Sequence, residues 1–429
     1  MNYTYKNIWL INFPVMMSIL IEQLINITDA IFLGHVGEIE LGASALAGIW
    51  YLAIYMLGFG FSLGLQVVIA RRNGGQRYSE TGKTFFQGLF FLSGLAVFLC
   101  LFSKLFSPII LSRLIASAEV YHAVIDYLDG RIWGLLFSFP FLALRSFLVG
   151  ITRTKALNVA ALTAVLVNIL GNWLLIFHWN MGIAGAAIAS SFAEACSLVV
   201  LSIHVLRKMD RRFYGLYWSF DKGVLLHVCH VSVWSMLHSF ISVAPWFLFF
   251  VAIEHLGELQ LAVANILRSI STLFFVIVNS FAATTGSLVS NLIGANERGQ
   301  VFPLCSRVIR LGYAIGLPLI AFALVFHQPV VSIYTDNPAI VQTAWLPFVV
   351  MLLNYVFALP SYVYMNAVTG TGATRTAFIF QATTIAAYLL YLCGLSHWDV
   401  PLAVYWTVEY LFVIGLGVQS VIYLKHKHY

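Results

Sequence analysis

The chain has 429 residues, of which 61% are hydrophobic and only 9% charged, with a formal net charge of +6. Soluble domains carry about 25% charged residues, so this composition excludes a soluble domain and reads as an all-α polytopic membrane protein. A β-barrel would show alternation over segments of about ten residues, which the chain lacks, and the excess positive charge reports topology rather than a nucleic-acid partner.

The first apolar run, IWLINFPVMMSILIEQLINITDAIFLGHVG from Ile8 to Gly37, is long enough to cross a bilayer, for which roughly 20 residues suffice. It nevertheless contains Glu22 and Asp29, seven apart and hence on one helix face. A carboxylate at mid-depth costs at least about 2.5–3.5 kcal/mol, so acids there face a cavity or a partner. Pro14 loosens the backbone early in the helix. No cleavable signal peptide is evident, because the run leads straight into its acids.

Further apolar runs follow at 44–69, 84–110, 123–148, 157–178, 182–205, 226–253, 262–289, 304–327, 341–366, 377–395 and 401–424, which predicts about twelve transmembrane helices. Asp126, Asp129 and Arg131, near one end of the fourth, read as a solvated cluster. Glu194 in the sixth reads either as a packing residue or as a cavity acid. The polar stretch RKMDRRFYGLYWSFDK, Arg207 to Lys222, divides the chain: an N-terminal lobe at 1–206, a basic and aromatic linker at 207–222 and a C-terminal lobe at 223–429. The linker reads as an interfacial strap. Arg268 in the eighth span and Glu409 in the twelfth are predicted to pair, since a buried Arg is best explained by a partner acid. The alternative places Arg268 at a substrate site. Trp246, Phe275 and Tyr355 are candidates to line an apolar cleft with π-faces for a cation. Cys100, Cys196, Cys229, Cys305 and Cys393 lie in or at apolar runs and read as small buried hydrophobes.

Lys and Arg concentrate in alternate loops. With the N-terminus in the cytoplasm, the inside receives almost all of them and the outside only Lys104 and Arg113. Both termini are therefore expected to be cytoplasmic.

The two halves repeat. His35-Val-Gly-Glu-Ile-Glu-Leu-Gly42 matches His255-Leu-Gly-Glu-Leu-Gln-Leu-Ala262, and 255 − 35 = 220. Gly74-Gly75 with Gly294-Ala295, Pro140 with Pro360, and Gly150-Ile-Thr-Arg-Thr-Lys155 with Gly370-Thr-Gly-Ala-Thr-Arg375 keep the same offset. An even number of helices per half makes this a parallel repeat, two six-helix lobes related by a pseudo-two-fold axis along the membrane normal. Asp29 aligns with Phe249 and Glu22 with Ser242, so ion chemistry is expected in the N-terminal lobe.

The chain resembles the MATE (multidrug and toxic-compound extrusion) family of the larger MOP flippase superfamily. The residues that carry the likeness are Pro14 with Asp29-Ala-Ile-Phe-Leu-Gly34-His-Val-Gly37, the loop ending at Gly75, Gly150-Ile-Thr-Arg-Thr-Lys155, Asn168-Ile-Leu-Gly-Asn172, Gly182-Ile-Ala-Gly-Ala-Ala-Ile-Ala-Ser190, and Gly286 to Asn296. The resemblance implies a secondary active antiporter of the inner membrane. It would export amphipathic, often cationic compounds in exchange for H+ or Na+, with no cofactor and no nucleic-acid partner, as a monomer among membrane lipids. In the branch resembling DNA-damage-inducible protein F, the coupling carboxylate matches Asp29, a helix-5 pair matches Asn168 and position 172, a helix-4 Tyr matches Tyr127, and a helix-6 Thr or Ser matches Ser190. Here position 172 is Asn172 rather than Asp, and position 22, commonly Gln in the family, is Glu22; the expectation is that Glu22 compensates. For Na+, the oxygens of Asp29, Asn168 and Asn172 suit a hard cation. A lipid or lipid-linked oligosaccharide flippase is the alternative function. No HExxH, GxSxG or P-loop is present, which speaks against an enzyme or direct ATP drive.

Overall fold

The computed structural model describes residues 3–34, 36, 38–115, 117–254, 256–334, 337–398 and 400–427. His35, Gly37 and His255 of the repeated loop lie outside the described residues, as does the side chain of Glu22. Among the described residues the chain is helical with no strand, and twelve helices are long and apolar enough to cross a membrane.

The first three spans are α1 (Tyr5–Gly34), α2 (Glu38–Gly74) and α3 (Tyr78–Leu114). The fourth joins α4 (Ala118–Arg131) to α5 (Leu135–Gly150) through a 3-10 turn at Ile132–Gly134. Next, α6 (Lys155–Asn172) widens into a π-helical turn at Trp173–His178, and α7 (Gly182–Lys208) completes the first half. After the short α8 (Arg211–Tyr214), the seventh span is α9 (Lys222–Ile241) and α10 (Ala244–Glu254), broken at Ser242 and Val243. The remainder is α11 (Glu258–Gly294), α12 (Val301–Val325), α13 (His327–Ser332), α14 (Pro338–Gly370), α15 (Thr374–Ser396), α16 (Leu402–Tyr405) and α17 (Thr407–His426).

Polar side chains set the ends. Ser117 accepts from the Val120 amide to cap α4, Asp210 accepts from Arg212 and Phe213 to cap α8, and Asn337 accepts from Ala339 ahead of Pro338 in α14. Several helices outrun the hydropathy signal. The second apolar run, expected at 44–69, belongs to a 37-residue helix. At about 1.5 Å per residue such a helix exceeds the hydrocarbon thickness, and its last turn carries Arg71 and Arg72.

The repeat reaches the backbone. α2 and α11 are both 37 residues long and begin 258 − 38 = 220 apart. Left-handed residues reverse the chain at Gln76 and Asn296, and at Thr152 and Gly372, again 220 apart in both cases.

The chain separates into two compact units, one of Phe13–Met236 and one of Met1–Asn12 with Leu237–Tyr429. The divisions fall inside α1 and α9, and packing explains why. In one unit the start of α1 is tied to α11: Asn12 accepts from Thr284 at 2.9 Å and donates to Ser280 at 3.4 Å. In the other, Gly64 of α2 admits α9 so closely that a Cβ there would stand 2.4 Å from the Ser232 Cα. These are one contact used twice, since 12 + 220 = 232 and 64 + 220 = 284. The strap after α7 lies along α3 within its own unit: Phe213 stacks on Tyr78 at 4.5 Å, Trp218 meets Phe90 at 4.8 Å, and Gln87 donates to the Ser219 carbonyl.

Candidate functional site

Within the unit Phe13–Met236, α6 presents its bulky residues outward. Val159, Leu162, Leu166, Leu170 and Trp173, three or four apart, are exposed, while Asn168 and Asn172 on the opposite face are fully buried. This reverses a water-soluble amphipathic helix and is what lipid on one side demands. α7 meets α6 through small residues: a Cβ on Gly171 would lie 3.0 Å from that of Ala189, and close approach of this kind is typical of membrane helices. It brings Ser190 opposite the two asparagines.

Asp29, one turn before the end of α1 and 9% exposed, completes the group. Its Oδ1 accepts from Asn172 at 2.6 Å and Asn168 at 3.0 Å, and its Oδ2 accepts from the Ser190 hydroxyl at 2.7 Å. Asn168 also donates to Ser190 Oγ, and Asn172 to Asn168 Oδ1. Among the described residues every donor on the carboxyl is neutral. The buried Oδ1 of Asn172 has no partner among the described residues, so it is an acceptor still open in the cluster. Tyr127 of α4 is buried within electrostatic reach of Asp29. It belongs to an apolar cluster with Leu33, Ala43, Ala47, Val124 and Ile176.

One turn along the same two helices lies a group that the sequence reading misplaces. Arg131, four residues after Tyr127, is no solvated residue. It donates to Glu194 Oε1 at 2.7 Å and lies 4.0 Å from the Tyr51 ring centroid, and the Tyr51 hydroxyl donates to the same carboxylate at 3.3 Å. Gly134 makes room, for a Cβ there would stand 2.4 Å from Glu194 Oε2. The spacing holds a trace of this, since Glu194 follows Ser190 by four, but only the meeting of α2, α4 and α7 reveals the partners. Asp126 and Asp129 do lie exposed, and Asp129 pairs with Lys104 at 2.7 Å.

In the other unit the predicted Arg268–Glu409 pair is not formed. Arg268 lies over the Phe250 ring at 5.0 Å, while Glu409 is buried and accepts from the Tyr388 hydroxyl at 3.1 Å. A neutral donor and an aromatic face satisfy the two groups separately. Trp246 joins an aromatic cluster with Phe249, Phe250 and Trp406, and Phe275 meets Tyr362 edge-on at 6.0 Å. Tyr355 is 2% exposed and donates to the Gly312 carbonyl at 2.9 Å, so it sits inside the α12–α14 contact. Among the described residues no group of three or more His, Cys, Asp or Glu converges as a metal site.

Twelve candidate spans, with a buried carboxyl ringed by neutral donors inside one of the two units, define a helical membrane protein that carries an ionisable group within a helix bundle. The MatE family pattern matches residues 14–174 and 235–392, most of the chain, and the protein belongs to that family. It is 23% identical to a probable multidrug resistance protein NorM from Photorhabdus laumondii, over 97% of this chain and 94% of the relative. It is 24% identical to the multidrug resistance protein MdtK of Cronobacter sakazakii, over 97% and 93%. A MOP superfamily transporter from Pyrococcus furiosus has the same fold, with a TM-score of 0.89 at 19% identity over 99% of this chain and 96% of that one.

Proposed function

We propose that this protein is a secondary active antiporter of the cytoplasmic membrane that exports amphipathic, often cationic organic compounds in exchange for H+. The observation that carries the reading is Asp29, buried in a membrane helix with three neutral donors and, among the described residues, no cation against it. The relatives named as multidrug resistance proteins support the substrate class. Coupling requires only that the conformations bind proton and substrate with different affinities.

The hydrogen-bond inventory says how a proton would act. The ionised carboxyl accepts all three donors. A proton on Oδ2 turns that oxygen into a donor toward Ser190, whose own hydrogen must then find another acceptor. Asn172 Oδ1, unpartnered among the described residues, is an open acceptor in the same cluster. Loading the proton therefore re-sorts bonds linking α1, α6 and α7 and removes a charge that would attract a cationic substrate. A flippase for an anionic lipid headgroup finds less support, because, of the two arginines that could hold a phosphate, Arg131 is already held by Glu194, which among the described residues leaves Arg268, over the Phe250 ring, by itself.

The test is efflux of a lipophilic cationic dye from proteoliposomes holding the purified protein. An imposed pH gradient without sodium should drive transport in the wild type and fail in Asp29→Asn. Transport that ignores the pH gradient and requires Na+ would assign Asp29 to sodium instead.

A further inference from the structure

A further ionisable group stands outside the Asp29 site, in the unit formed by Met1–Asn12 and Leu237–Tyr429. Glu409 there is 8% exposed, lies in a membrane span and has no cation partner among the described residues. An unpaired acid in such a place is rare and is a functional-site candidate.

Its position in the repeat is the second observation. Asn168, which donates to Asp29, maps onto Tyr388, since 168 + 220 = 388. Ser190, which also donates to Asp29, maps onto Tyr410, next to Glu409. Asp29 itself maps onto Phe249, which packs on Trp406, three residues before Glu409, at 5.1 Å between ring centroids. Glu409 thus stands where the C-terminal half repeats the Asp29 site, with the carboxyl moved from the first helix of the half to the last.

The third observation is the hydroxyl between two acceptors. Tyr388, fully buried, has one hydrogen and two acceptors in reach: Glu409 Oε1 at 3.1 Å and the Pro245 carbonyl at 3.4 Å. Pro245 lies just past the break between α9 and α10. The ionised carboxylate can only accept, so it draws the Tyr388 hydrogen to itself. The protonated acid can donate to Tyr388 Oη, which frees the phenolic hydrogen for Pro245. Of the titratable groups near it, Tyr388 on α15 touches Glu409 and Tyr362 on α14 lies within electrostatic reach. His238 of α9 is engaged with Gln381 instead.

We propose that Glu409 is a second proton-binding carboxyl, in the C-terminal half, whose charge state switches the Tyr388 hydroxyl between itself and the broken seventh span. The reaction is a proton taken from water onto Oε1 or Oε2 and a turn of one phenolic hydrogen; no covalent bond changes. The proposal does not depend on Asp29 being the coupling group.

Infrared difference spectra of the full-length protein in lipid, recorded between acidic and alkaline pH, test it through the carbonyl stretch of protonated carboxylic acids. Glu409→Gln is expected to lose one such band that Asp29→Asn retains. Tyr388→Phe should keep that band but move it to higher frequency, because the carboxyl has lost its hydrogen-bond partner. If the Glu409→Gln spectrum superimposes on the wild type, or the Tyr388→Phe band does not move, the proposal is overturned. A sodium-coupled Asp29 would leave the Glu409 band in place, so the two readings fail separately.

Discussion

At Asp29 the decisive feature is which donors surround the acid. Amides and a hydroxyl can turn to follow its protonation state, whereas a guanidinium would hold it ionised. Asn172 is therefore an informative position. Asn172→Asp sets a second carboxyl where an amide now lies 2.6 Å from Asp29, and two acids so close share one proton and titrate as a pair. The pH profile of dye efflux should gain a further step relative to the wild type, and a profile that matches the wild type would show that residue 172 does not act on Asp29. Arg131 and Glu194 form the opposite kind of site, a fixed ion pair. Glu194→Ala leaves a largely enclosed guanidinium without its partner and should lower stability by about 3 kcal/mol, read as a fall in thermal unfolding temperature in detergent. The double variant Arg131→Leu with Glu194→Leu should recover most of the loss. If both single and double variants melt like wild type, the pair is structurally idle.

Among the elements, glycines decide where helices can touch, and they differ sharply in what they admit. A Cβ on Gly64 meets backbone of α9, which cannot step aside, while Gly42 and Gly94 have nothing within 4 Å. Gly64→Val should abolish the monodisperse peak in size-exclusion chromatography, and Gly94→Ala should leave it intact. Equal behaviour of the two would mean that the α2–α9 approach is looser than described. Much at this scale is legible in the sequence. Apolar runs mark all twelve spans, because lipid forces every crossing segment to declare itself in composition. The break at Ser242 and Val243 and the 3-10 turn before Gly134 are not legible, because hydropathy averages over windows longer than the irregularity. The neighbours of Asp29 emerge from spacing together with the family likeness. The partners of Arg131 and Glu409 do not, because a charge in an apolar run announces only that it needs something, not whether that is an acid, a phenol or a ring.

For the whole molecule, the repeat at offset 220 explains why contacts come in pairs that use different side chains. Asn12 with Thr284 and Ser232 with Gly64 occupy equivalent places, one a hydrogen bond and the other a close approach. Duplication preserves helix trajectories and turn conformations, while side chains are free to diverge, and the acids do so. Six spans in each half bring both chain ends to one face of the membrane, whichever face that is. The basic residues choose it. Arg71, Arg72 and Arg77 flank the turn after α2, Arg153 and Lys155 that after α5, Arg207, Lys208, Arg211 and Arg212 the strap, Arg298 and Arg375 the matching turns of the second half, and Lys425 and Lys427 the C-terminus. The opposite loops hold Arg113, and Lys104 on that side is neutralised by Asp129. Because short basic loops resist translocation, a fluorescent protein fused after residue 427 should fold in the cytoplasm and fluoresce, and alkaline phosphatase fused there should be inactive. The same phosphatase inserted at Ser117, between α3 and α4, should be active. Reversal of both signals would invert the molecule and with it the direction in which a proton reaching Asp29 must travel.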